Sequence, residues 1–297
     1  MNLFLWEHGI ATNEAKEHLG DWVNCVGHQS AAYQILTELY TPQQVVENET
    51  LRMVLQWYTH FDVFAGMISG KGTSIGMEWF KAQHEWDAHQ VTQKPNDLTM
   101  KYRERFSRFR VIAADMAILM ARKSKNAISD DDFDSECEAI VEELENFEQK
   151  MDPALRDESK LVTDFSGTPP LDPDDIVDPY DPKILYGGEL FATNHLTLAF
   201  HGLHLMFLYQ FHEMQGKPRP PRMQELALKM CQLIEAMEYH PDSPSGIILG
   251  LQANLGMAVA FLPLDEKHIM WARRKLAAVE SLGYFVTRHA MHREADG

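Results

Sequence analysis

Apolar residues recur at intervals of three and four along most of this chain, and no stretch alternates strictly enough to require a β-strand. The segment from residue 189 to 215 is apolar almost all round, which is typical of a helix at the centre of its domain. Proline and glycine interrupt the pattern often enough to separate the helices. We therefore predict an all-α fold, an irregular helical domain of about 8–10 helices.

In the first half of the chain the pattern predicts helices over residues 15–39, 42–70, 78–91, 98–122 and from 129 onward. Pro42 suits the first position of a helix, where its missing N–H costs nothing. Three glycines within Gly70–Gly76 predict a turn that folds the second and third of these helices into a hairpin. Asp97 and Ser129 are good N-caps for the helices that follow them.

The composition changes after Met151. Six prolines and many aspartates lie between residues 152 and 183, and such a stretch neither sustains a helix nor has much to bury. Helices are predicted again over residues 189–215, 220–239, 245–261 and 263–283. The sequence thus predicts an N-terminal helical half (residues 1–151), a Pro/Asp-rich internal linker (152–188) and a C-terminal helical half (189–297), together forming one domain.

The charge balance argues against nucleic acid as a partner. The net charge is −17, whereas affinity for a phosphate backbone requires an excess of Lys and Arg. The three cysteines are far apart and form no CxxC pair, so we expect reduced thiols inside a cell. The run Met1–Trp6 is too short for a signal-peptide core, and no apolar run reaches the length of a membrane span. A nuclear or cytoplasmic-nuclear location is expected, without membrane contact.

Two aspartate-rich segments raise the alternative of a helical terpenoid or lipid-metabolising enzyme. Residues 130–134 and 174–178 both fit the DDxxD pattern that holds Mg²⁺ and a diphosphate in such enzymes. The first segment, however, begins a helix, where carboxylates are favoured by the helix dipole, and the second lies between Pro173 and Pro179. Capping and solvated loop are therefore the favoured interpretations. We predict no catalytic residues, no metal site and no cofactor.

Histidines offer two further candidates for metal binding. His84 and His89 resemble an HExxH zinc site, but their spacing of five turns the second ring away from the first by about 140°. His201 and His204 share a helix face at a spacing of three. No acidic residue stands beside that second pair to complete a ligand set, so buried, hydrogen-bonded histidines are the simpler interpretation.

Aromatic residues and a cationic run provide two binding hypotheses. A small apolar ligand is expected in a pocket to which six side chains contribute: Trp57, Phe61, Phe64, Phe200, His204 and Phe207. Core packing is the alternative, because helical aromatic stripes usually serve as core. Arg273, Arg274 and Lys275 are expected to form a solvated surface, paired with Asp265, Glu266 or Glu280, and to be available for interaction.

The tract from Pro241 to Tyr284 resembles the fungal-specific transcription factor domain. The residues that carry this resemblance are Leu249-Gly250-Leu251-Gln252-Ala253, Phe261-Leu262-Pro263-Leu264-Asp265, His268, Trp271-Ala272-Arg273-Arg274-Lys275 and Glu280 to Tyr284. A similar likeness recurs from Trp57 to Gly66, at Gly70 and at Glu78-Trp79.

The resemblance implies a regulatory domain of a zinc-cluster transcription factor that senses an effector or binds a protein. It implies a small apolar ligand, proteins of the transcription machinery or a homodimer partner, and no enzymatic activity. In that family a module with six cysteines binds DNA. Three scattered cysteines cannot hold a binuclear zinc site, so direct DNA binding is not expected of this chain.

Overall fold

The computed structural model describes residues 20–282. These residues form ten α-helices and three short 3₁₀ turns, with a single antiparallel bridge between Leu161 and Tyr186 and no strand in the described range. The predicted all-α fold is confirmed. The parts of the first and last predicted helices that fall before residue 20 and after residue 282 lie outside the described residues.

The helices belong to two compact units, residues 20–156 and residues 157–282, here called the N-terminal unit and the C-terminal unit. The N-terminal unit contains α1 (Gly20–Leu39), α2 (Pro42–Glu47), α3 (Glu49–Ser69), α4 (Met77–Gln93), α5 (Leu98–Ser124) and α6 (Asp130–Gln149). The C-terminal unit contains α7 (Phe191–Met214), α8 (Arg222–Tyr239), α9 (Ile248–Val259) and α10 (Glu266–Ser281). The 3₁₀ turns are Pro153–Arg156, Glu158–Lys160 and Gly188–Leu190.

The long helix predicted from Pro42 is interrupted. Asn48 has an extended backbone (φ −96°, ψ 122°) and ends α2, and its side chain accepts a hydrogen bond from the Leu51 N–H at 3.1 Å to begin α3. Asparagine is among the best N-caps, because its short side chain satisfies an otherwise free N–H of the first turn. Apolar residues keep their helical spacing on both sides of Asn48, so the sequence pattern predicted one continuous helix.

The turn between α3 and α4 is held by a buried carboxylate. Gly70 ends α3 with φ 63°, a left-handed conformation that glycine adopts readily, and the predicted turn begins there. Asp62, on α3, accepts hydrogen bonds from the backbone N–H groups of Ser74 (2.9 Å) and Ile75 (3.0 Å), and from Gln29 Nε2 (2.8 Å). The turn is thus fastened to the helix that it follows.

Helix α5 is the centre of the N-terminal unit, because it packs against α3, α4 and α6. From Phe109 to Ala121 almost every side chain is buried. Its start is fixed by Asp97, which accepts from the Thr99 and Met100 N–H groups, as predicted. Ser129 likewise caps α6 by accepting from the Asp132 N–H.

In the C-terminal unit α8 packs against both α7 and α9. The core is formed by fully buried side chains of α8, α9 and α10, among them Met230, Ile234, Leu251, Leu255 and Trp271. Trp271 is the largest of them and anchors α10 in this core. Asp265 caps α10 by accepting from the His268 N–H.

The predicted linker is attached to the C-terminal unit at a few points. The boundary between the two units falls within it, after Arg156, and residues 157–188 cluster with the C-terminal unit. Leu185 is fully buried, and its carbonyl accepts from the Val162 N–H at 2.8 Å. The Asp178 carbonyl accepts from Gln232 on α8 at 2.7 Å. Only Pro179 and Leu185 are buried among residues 157–188, so this stretch has little to bury, as its composition predicts. It is held instead by a few hydrogen bonds from its backbone to side chains of the neighbouring helices.

Candidate functional site

Arg110 is a buried cation near the middle of α5, with 9% of its surface exposed. It lies four residues after Phe106 and three before Ala113, so helical geometry places it on the inward, apolar face of α5. The Arg110 guanidinium carbon lies 4.8 Å from the centre of the Phe106 ring, over its face. The site built around this side chain is called the Arg110 site below.

Two of the three guanidinium nitrogens of Arg110, Nε and Nη1, are buried and have no hydrogen-bond acceptor among residues 20–282. Burial lowers the pKa of Arg110 to about 10, so the side chain still carries its charge at neutral pH. Each buried N–H group without an acceptor destabilises the folded state by roughly 1–3 kcal/mol, and burial of the charge adds to this cost. An acceptor that enters the site would remove part of this cost.

The polar neighbours of Arg110 come from α4. Asp87 is buried and acts electrostatically on Arg110, but the two form no ion pair in the described structure. Gln83, one turn earlier, donates from Nε2 to Asp87 Oδ2 at 2.8 Å, while its own Oε1 is buried without a donor among the described residues. Burial raises the pKa of Asp87, which weakens its value as a counter-ion.

Aromatic rings form the more exposed side of the Arg110 site. Phe106 is half-buried, with ring centres 5.8 Å from Tyr102, 5.6 Å from Phe109 and 6.3 Å from His60. Burial raises the pKa of the Tyr102 hydroxyl, and the charge of Arg110 lowers it. Tyr102 is therefore a neutral hydroxyl close to the guanidinium.

The other charged groups of α5 in this region already have partners. Arg105 donates to the Phe147 carbonyl and stacks over the Phe147 ring at 4.5 Å. Arg108 forms an ion pair with Glu143 on α6. In the described part of the unit, Arg110 is thus the buried arginine with the greatest unmet hydrogen-bonding capacity.

The arrangement is suited to binding. It offers a cation with free N–H groups, an apolar aromatic wall and a nearby carboxylate that discourages a second negative charge. Asp87 accepts from Gln83 and also from the Ser107 hydroxyl, whose oxygen lies 3.3 Å from His84 Nδ1. The unmet N–H groups of Arg110 can recognise an acceptor group.

The six residues of the predicted apolar pocket divide between the two units. Trp57, Phe61 and Phe64 lie on α3; Trp57 is 65% exposed and stacks on Phe61, with ring centres 6.2 Å apart. Trp57 therefore lies on the surface of its unit and not in its interior.

The other three residues, Phe200, His204 and Phe207, lie on α7. Phe200 and Phe207 are buried, and the rings of Phe200 and His204 lie 6.2 Å apart. Each trio follows one helix, as the spacing predicted. The apolar ligand remains a prediction.

The cationic run on α10 is not the solvated surface that was predicted. Lys275 is 5% exposed: its Nζ donates to Glu235 (2.9 Å), to Glu238 (2.8 Å) and to the Tyr239 hydroxyl (3.0 Å). Trp271 Nε1 donates to the same Glu235 oxygen at 2.7 Å.

Arg274 is half-buried and donates to the Asp174 carbonyl at 2.9 Å, and only Arg273 is fully exposed. The predicted partners were Asp265, Glu266 and Glu280. Lys275 pairs instead with carboxylates of α8, and Arg274 binds the aspartate-rich segment at residues 174–178. Sequence spacing reveals pairs within a helix only, which is why these contacts were missed.

The aspartate-rich segments have local structural roles. Asp130, Asp131 and Asp132 occupy the first turn of α6, where the helix dipole favours carboxylates. Asp174 and Asp175 lie in the loop that Arg274 binds. Both placements agree with the favoured interpretation as cap and loop.

The histidine pairs do not assemble into a metal centre in the described chain, where no group of three or more potential ligands comes together. His84 Nδ1 lies 3.3 Å from Ser107 Oγ, while His89 is exposed. Burial lowers the pKa of His201 to about 4, and its Nδ1 has no partner among the described residues. His201 is therefore neutral at pH 7.

Sequence reasoning passed over Arg110 and treated Asp87 only as part of the imperfect HExxH pattern. The sequence does contain a pattern that could have indicated this site. Arg110 is a charged residue within the most apolar part of α5, and Gln83 and Asp87 are polar residues four apart on α4.

Among residues 20–282 no helix combines the length and apolar character that crossing a membrane requires. Comparison with models of protein families, with curated proteins and with solved structures gives no match.

Proposed function

We propose that this chain is the effector-sensing regulatory domain of a fungal zinc-cluster-type transcription factor, without the DNA-binding module. The observation that carries the proposal is the buried guanidinium of Arg110, with two nitrogens that no described residue satisfies. The resemblance of the tract from Pro241 to Tyr284 supplies the biological context.

The physical link between the site and regulation is stability. A ligand that binds only the folded state stabilises it by RT ln(1 + [L]/Kd), which is about 2.7 kcal/mol at a hundredfold excess over Kd. An effector that satisfies Arg110 would rigidify α4 and α5, the helices that support most of the N-terminal unit. A change in that unit shifts which of its surfaces are available to partners.

A reporter assay tests the regulatory role. The chain is fused to a heterologous DNA-binding domain and an activation domain in a fungal host, and reporter output is measured over a panel of growth media. A coupling of 1–3 kcal/mol would change the output by about 5- to 150-fold between media. Arg110→Met should hold the output at one level.

Arg103→Met is the matched control, because Arg103 is an exposed arginine on the same helix. This variant should respond as the unmodified fusion does. Constant output from the unmodified fusion in every medium, or an unaltered response from Arg110→Met, would contradict the proposal.

A further inference from the structure

The charge balance around Arg110 selects the class of ligand. Arg105 donates to the Phe147 carbonyl and Arg108 pairs with Glu143, whereas Arg110 keeps two buried nitrogens without an acceptor among the described residues. Asp87 contributes a carboxylate nearby and would repel any excess negative charge. Since Asp87 already offsets part of the Arg110 charge, a dianion such as phosphate is disfavoured more strongly than a monoanion.

The shape of the surroundings restricts the rest of the ligand. The half-buried Phe106 ring lies beneath the guanidinium and is surrounded by the rings of Tyr102, Phe109 and His60. Aromatic surfaces of this kind favour a flat apolar body packed against them. A carboxylate oxygen is the strongest acceptor that such a body can present to an arginine N–H at one negative charge.

We infer that the Arg110 site binds a small monocarboxylate whose body is planar and apolar, with the carboxylate at the guanidinium and the body against Phe106. This inference rests on the proposed regulatory function and names the class of its effector. The inferred ligand is amphipathic and not purely apolar, and its site shares no residue with the predicted apolar pocket.

Benzoate and benzamide form a matched pair of probes, since they share shape and differ in charge. Calorimetry and thermal unfolding of the whole chain should show benzoate binding with a Kd of about 1 mM or below, as expected for a ligand of this size. Benzamide and inorganic phosphate should bind at least tenfold more weakly. Equal binding of benzamide, or no benzoate binding at about 10 mM, would overturn the inference.

Variants connect the binding to Arg110. Arg110→Met should abolish benzoate binding, Arg110→Lys should weaken it about tenfold because the planar N–H array is lost, and Arg103→Met should leave it unchanged. Asp87→Asn should strengthen it, because a repelling charge is removed. Far-UV circular dichroism verifies that each variant is folded. Benzoate binding that survives in Arg110→Met, or weakens in Asp87→Asn, would count against this site.

The two proposals fail separately. If the reporter responds to the growth medium but the chain does not bind benzoate, the regulatory role is supported and the ligand class is refuted. Benzoate binding that depends on Arg110, together with a constant reporter, would confirm the ligand class and refute the regulatory role.

Discussion

At the scale of single residues, the C-terminal unit contains a largely buried charge network. Glu235 has no exposed surface, and its Oε1 accepts from both Lys275 and Trp271. Burial lowers the pKa of Lys275 less than the carboxylates of Glu238 and Glu235 raise it, so the lysine stays charged. The network therefore depends on both signs of charge being present.

Lys275→Met tests this dependence. Removing the cation leaves Glu235 buried without compensation, which should lower the free energy of unfolding by about 3–5 kcal/mol. The double variant Glu235→Gln with Lys275→Met removes both charges and should recover more than half of the loss. Urea unfolding followed by circular dichroism gives both values. Equal losses in the single and the double variant would show that the two charges do not depend on each other.

His201 predicts a pH dependence of stability. Burial, followed by the positive charges of Lys229, His204 and Arg222, lowers its folded-state pKa to about 4 from the ordinary 6.5. A group with a depressed folded pKa binds its proton more readily in the unfolded chain. Its contribution is therefore complete above pH 6.5 and is lost progressively as the pH falls toward 4, by about 3 kcal/mol at most.

His201→Phe is the corresponding variant, because it removes the titrating ring nitrogen and keeps a flat apolar side chain. Urea unfolding at pH 7 and at pH 4.5 should show a smaller loss of stability on acidification for the variant than for the unmodified chain. The same loss in both proteins would mean that His201 titrates normally.

At the scale of elements, the turn between α3 and α4 depends on the absence of a side chain at Gly66. A Cβ added there would lie 2.6 Å from the Gly72 carbonyl oxygen, and backbone cannot move aside as a flexible side chain can. Gly66→Ala should therefore cost about 3 kcal/mol.

Gly70→Ala is the control for this turn, because nothing lies within 4 Å of a Cβ at that position. It should cost only about 1 kcal/mol, for the left-handed backbone. Thermal unfolding of the two variants gives the order. A milder effect at Gly66 than at Gly70 would mean that the close approach to Gly72 is relieved by a small shift.

Helix ends were predictable where a single residue type determines them. Gly70 ends a helix because glycine adopts the left-handed backbone, whereas Asp97 and Ser129 begin helices because their side chains accept from N–H groups of the first turn. Asn48 was missed, because the apolar positions keep their spacing across the break. The contacts of Lys275 and the Arg110 site join residues on different helices, and no pattern within one helix reveals such pairs.

At the scale of the whole molecule, net charge governs which partners are excluded. A charge of −17 repels phosphate backbones, and the short run Arg273-Arg274-Lys275, in which Lys275 is buried, does not offset it. The chain alone should show no binding to a labelled DNA duplex by fluorescence anisotropy at about 150 mM salt, even at micromolar protein. DNA binding that weakens steeply with salt would reveal a local basic surface. It would contradict the expectation that this chain does not bind DNA directly.

Arg110 either binds a ligand or supports the fold, and the proposed function requires that it binds a ligand. Equilibrium urea unfolding of Arg110→Met without added ligand distinguishes the two most directly. If the guanidinium is held unsatisfied for a ligand, its replacement by an apolar side chain of similar length should leave the free energy of unfolding unchanged or raise it by about 1 kcal/mol. A loss of about 3 kcal/mol or more would show that Arg110 is a structural cation, and would contradict the account.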